Sequence, residues 1–111
     1  LMILQQLIKL EQQINSLLND IELFKFAYIT NDKKLNTYQN NVNDNIHNLY
    51  NYLKEQPIIH TSLLHYKFFN FLTDCYYNPI EPLDNGNTKV YIEDIQRRLL
   101  LLHESIVFIL K

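Results

Sequence analysis

The chain has 111 residues, 47% of them apolar, which is enough for one domain with a packed core and too few for several. Ten basic against twelve acidic residues leave a net charge of -2, so no overall field draws it to nucleic acid or an anionic membrane. One glycine and three prolines leave almost no turn material, which disfavours an all-β sandwich and every glycine-rich nucleotide site and points to few, long helices.

The first predicted helix covers residues 1–30. Its apolar residues fall at Ile3, Leu7, Leu10, Ile14, Leu17, Ile21, Phe24 and Tyr28, alternating four and three as in a heptad repeat. Ile14 and Ile21 occupy a positions, with Leu10 and Leu17 at d, a combination that favours a parallel two-stranded coil. Leu4 and Leu18 at e widen the stripe beyond a simple seam. After Asp20 nearly every side is apolar, so the first half reads as a stalk and the second half as part of a packed body. The periodic pattern is already running at Leu1, and we read the chain as a fragment of a longer protein.

Thr30 to Lys34 interrupt the pattern, and Asn31 or Asp32 supplies the cap of a second helix that runs to about Gln56. Its buried face is Leu35, Tyr38, Val42, Ile46, Leu49 and Leu53. Asparagines fill most of the rest and are poor helix formers, so packing has to hold this segment helical. A third helix spans Thr61 or Ser62 to about Tyr77 and is ringed by apolar and aromatic residues, which marks it as the most buried element or one covered by a partner. Within it, Tyr66, Phe69, Tyr76 and Tyr77 are the candidate partner-binding residues. The segment Asn78 to Asn87 holds Pro79, Pro82 and Gly86 and is expected to be the most mobile internal loop. Thr88 is then placed to cap a last helix with a stripe of Ile92, Ile95, Leu99, Leu102, Ile106 and Ile109.

No residue pattern points to catalysis, a cofactor or a metal. The D-x-G-x-T spelling of Asp84 to Thr88 lacks the strands that a phosphoryl-transfer site needs and reads as a turn followed by a helix cap. His47, His60, His65 and His103 show no i,i+4 pairing, and with Cys75 they form no zinc-ligand spacing. Cys75 lies in an aromatic helix that raises its pKa and makes it a structural thiol. Lys67 is the one basic residue interleaved with the aromatics of the third helix, so a base-stacking nucleic-acid surface is disfavoured. The longest apolar run, Leu99 to Leu110, is broken by His103, Glu104 and Ser105 and is too short to span a bilayer.

Thirty residues of helix span about 45 Å, longer than the roughly twenty residues expected for the last helix, so the N-terminal helix is expected to overhang its neighbours. The resulting expectation is an all-α fold of about four helices. Residues 1–30 form a coiled-coil dimerisation helix running into a bundle of residues 31–111. Its function would be that of a non-enzymatic oligomerisation and docking module, a scaffold or adaptor part inside a larger protein. The expected dimer interface is Ile3, Leu7, Leu10, Ile14, Leu17, Ile21 and Phe24, and the partners are a second copy and another protein. A subunit of a hetero-oligomeric helical complex is the alternative, with a nucleic-acid-binding helical domain behind it. With a single cysteine and no glycosylation site, an intracellular, cytoplasmic or nuclear location is expected.

Overall fold

The computed structural model describes residues 2–55, 63–79 and 87–111. These residues form four α-helices, α1 (Met2–Thr30), α2 (Leu35–Glu55), α3 (Leu63–Tyr77) and α4 (Asn87–Leu110), and no strand occurs among them. The all-α expectation holds, and the helix bounds match the apolar periodicity to within a residue or two. The expected mobile loop and the D-x-G-x-T turn fall largely on residues 80–86, outside the described residues, and so does Pro57.

The junction between α1 and α2 shows how local chemistry sets the fold. Asn31 takes a positive φ of 53°, the left-handed conformation that asparagine tolerates better than most residues. That turn lets the Asp32 N–H reach the Ala27 carbonyl at 2.9 Å, closing α1 with a Schellman-type hydrogen bond. Asp32 then accepts the Lys34 N–H on Oδ1 at 2.8 Å and becomes the N-cap of α2. Of the two candidate caps, Asp32 does the capping while Asn31 provides the turn. The chain therefore reverses within about four residues, which forces α2 to lie antiparallel beside α1.

Side-chain pairs give the remaining order. Tyr52 of α2 donates to the Gln6 carbonyl of α1 at 3.1 Å, and Asn45 donates to Asp20. From α4, His103 Nε2 lies 2.8 Å from Glu11, while Gln96 donates to Glu22 and accepts from Lys25. Tyr50 of α2 stacks on Phe69 and Tyr76 of α3. Arg98 of α4 lies over the Phe71 ring, and Tyr91 donates to the Asn78 carbonyl. In each pairing the residue numbers run in opposite directions, so the helices go up, down, up and down, with α1 lying between α2 and α4.

The expected stalk is corrected by this arrangement. Leu10, Ile14, Leu17, Ile21 and Phe24 are only 0–2% exposed within a single chain, because α2 and α4 cover them. The overhang shrinks to about two turns because α4 extends for 24 residues, about 36 Å, and returns along most of α1. At 29 residues, α1 is about 44 Å long, the same as the 44 Å long axis of the whole molecule. The core of the described side chains follows α1. It is built on the inner stripe of α1 with Val42, Ile46, Leu49 and Leu53 of α2 and Ile92, Ile95, Leu99, Leu102 and Ile106 of α4. Among its described side chains, α3 adds Leu72 and Cys75, and it packs chiefly on α2.

Candidate interaction surfaces

Two faces carry the residues singled out from sequence, and the structure adds a third. The first is the heptad stripe of α1. Leu10, Ile14, Leu17, Ile21 and Phe24 point inward, Leu7 is half-buried, and the Ile3 side chain lies outside the described set. Polar groups flank this stripe and tie it to its neighbours. The Glu11–His103 contact joins α1 to α4 with both side chains about four-fifths buried, and the Gln96 amide is clamped between Glu22 and Lys25. On the side facing α2, Lys9 sits over the Tyr52 ring at 4.9 Å. Burial pushes the Tyr52 hydroxyl above its ordinary pKa, so it remains a hydrogen-bond donor to Gln6.

The second face is the aromatic ladder between α2 and α3. The ring of Tyr76 lies 4.3 Å from His47, 4.5 Å from Tyr50 and 5.1 Å, edge-on, from Tyr77. Such offset and edge contacts add modestly to area burial. Phe69 and Tyr76 are thus largely committed to holding α3 on α2, while Tyr77 stands mostly exposed at the end of the ladder. The Tyr66 side chain lies outside the described residues. Behind the ladder, Cys75 is buried close to Tyr91. Burial is the main cause that pushes the Cys75 thiol up to about 11, and burial likewise raises Tyr91. A thiol held there is almost wholly protonated near neutrality and a poor nucleophile.

The third face was not anticipated. On the outside of α4, Leu101 is 60% exposed and Phe108 80%, and with Glu104, Ser105 and Ile109 they line an open hollow. Val90 is exposed on the same side, and Arg97 lies between, paired with Asp94, whose carboxyl is held below its usual range chiefly by that hydrogen bond. Ile109, expected in the core stripe, is exposed too, because after Ile106 the stripe steps by four to Leu110, which packs against the core instead. The signal was present in the sequence as a second four-and-three spacing at Val90, Asp94, Arg97, Leu101, Glu104 and Phe108. The continuous run Leu99–Leu102 masked it, since a run that apolar marks every side of the helix at once. The outer side of α1 keeps Leu4 and Ile8 exposed near one end and Leu23, Phe26 and Ile29 near the other, so its second half is not wholly enclosed as expected.

Among the described residues, no group of three or more His, Cys, Asp or Glu side chains is placed to hold a metal ion, and no helix is long and apolar enough to cross a membrane. The fold defines the chain as an up-and-down four-helix bundle with apolar outer faces. Comparison with known protein families, curated proteins and solved structures finds no match.

Proposed function

We propose that this chain is a non-catalytic oligomerisation and protein-docking module, a scaffold or adaptor part that brings copies of itself and whatever they carry together. One observation carries the reading: eleven large apolar side chains, from Leu4 to Ile109, remain 40–80% exposed on helices whose inner faces are already satisfied. Grouped apolar surface of this kind marks association sites, whereas single exposed apolar residues do not. Because the heptad seam of α1 is spent inside the monomer, self-association has to use outer faces. A parallel coil through Ile14 and Leu17 would require stripping α1 from both neighbours. Pairing two copies raises the effective concentration of any segments attached to them.

A hetero-oligomeric helical complex is the second reading. It is supported by the cluster Leu23, Phe26 and Ile29, which lies on a different helix from the exposed stripe of α4 and offers a second surface. Nucleic-acid binding has weaker support, since Arg97 and Arg98 both pair with Asp94. The test is the mass of the whole chain in solution. Sedimentation equilibrium between ~1 and ~100 μM should show association within the micromolar range expected of a functional contact. A chain that stays at 13.4 kDa throughout overturns self-association.

A further inference from the structure

We propose that the outer face of α4 pairs with the same face of a second copy, antiparallel, across a two-fold axis near Leu100 and Leu101, an inference that rests on the self-association reading above. The stripe Val90, Asp94, Arg97, Leu101, Glu104 and Phe108 steps by four and three, the spacing of a helix–helix seam, and runs for about 27 Å. Two of its exposed apolar knobs, Leu101 and Phe108, are seven residues apart. On an identical antiparallel helix, the four-residue hole of Arg97, Leu100, Leu101 and Glu104 receives Leu101. The hole of Val90, Glu93, Asp94 and Arg97 receives Phe108. Those holes are also seven residues apart, so one register seats both knobs. The hollow beside Leu101 and Phe108 lies along this path.

Charge order selects both the partner and the direction. In that register Arg97 of each copy meets Glu104 of the other, and the two-fold axis makes the contact twice. A parallel pairing would set Arg97 beside Arg97 and Glu104 beside Glu104. The existing Arg97–Asp94 pair is solvent-exposed, with Arg97 68% accessible, and exposed pairs of this kind hold a side chain only weakly. Arg97 is therefore available to turn to Glu104 of the second copy. A single helix pair sits at the small end of specific interfaces, which fits a micromolar contact.

The whole chain, followed by sedimentation equilibrium up to ~100 μM, should approach twice 13.4 kDa. Leu101→Glu and Phe108→Glu should each raise the dissociation constant by about tenfold or more. Helicity and melting should stay at the parent's level, because both residues lie outside the core. Arg97→Glu should weaken pairing, and adding Glu104→Arg to it should restore affinity to within about threefold. A dimer indifferent to Leu101→Glu, or a charge swap that fails to rescue, overturns this surface while leaving self-association standing. A parent that is monomeric at ~100 μM overturns both, and passes the face to a different helical chain.

Discussion

Cys75 shows how far a single side chain's chemistry is set by its neighbours. In an unfolded chain its thiol ionises near 9.0, whereas in the bundle burial holds it to about 11. Below pH 9 the thiol is protonated in both states and contributes no pH dependence. Between 9 and about 11 the unfolded chain releases a proton that the folded chain keeps, so the stability this group contributes is lost as pH rises through that window. Tyr91 is shifted in the same direction and steepens the loss. Chemical denaturation at pH 8, 9, 10 and 10.5 should show a falling midpoint, and Cys75→Ala, though less stable at every pH, should show a shallower fall. An identical slope in the variant would mean that the thiol is solvated. Alkylation of Cys75 at pH 8 should be slow in the folded protein and should accelerate when it is unfolded.

At the scale of an element, the reversal from α1 to α2 depends on two adjacent residues doing different work. Asn31 supplies the left-handed turn and Asp32 supplies the cap. Asp32→Ala should cost about 1 kcal/mol by leaving first-turn N–H groups of α2 without their acceptor. Asn31→Ala should cost about as much through the left-handed backbone, which a Cβ disfavours. Both losses should appear as lower denaturant midpoints with unchanged m-values, and Asn31→Gly should be tolerated. If Asp32→Ala matches the parent, the turn is held by packing of Ala27 and its neighbours instead. The asparagine-rich α2 makes the same point about context. Its propensity is poor, and its helicity rests on burial of Val42, Ile46, Leu49 and Leu53 against α1.

For the molecule as a whole, the inner stripe of α1 is the structural axis. Ile14 and Leu17 are fully buried by α2 and α4. Leu17→Ala should therefore cost about 2 to 5 kcal/mol. Ile14→Glu, which places an unpaired carboxylate in the core, should unfold a domain whose total stability is about 5 to 15 kcal/mol. Circular dichroism should show helicity lost across the whole chain. Had α1 been an exposed coil, the same substitution would have separated two copies and left the bundle folded. A folded, monomeric Ile14→Glu variant would thus return the dimer seam to α1.

Local rules made most of the architecture legible. Helix existence and bounds follow from apolar periodicity and caps, which act within a few residues, so α1, α2, α3 and α4 could be placed from the chain alone. The identity of the core-facing residues followed well for α1, α2 and α4 as far as Ile106, since Ile14, Leu49 and Leu99 sit where one stripe per helix demands. What covers a stripe was not legible. An intramolecular bundle and a coiled-coil dimer use the same four-and-three spacing, because both pack side chains of straight helices against one another. The decision lay in how far α4 runs back along α1, and that depends on residues 74 to 92 positions away, with the Glu11–His103 and Glu22–Gln96 contacts recording the register. The outer stripe of α4 was hidden for the same reason. Leu99 to Leu102 look alike as letters, and only packing within the bundle buries Leu99 and Leu102 while leaving Leu100 and Leu101 facing out.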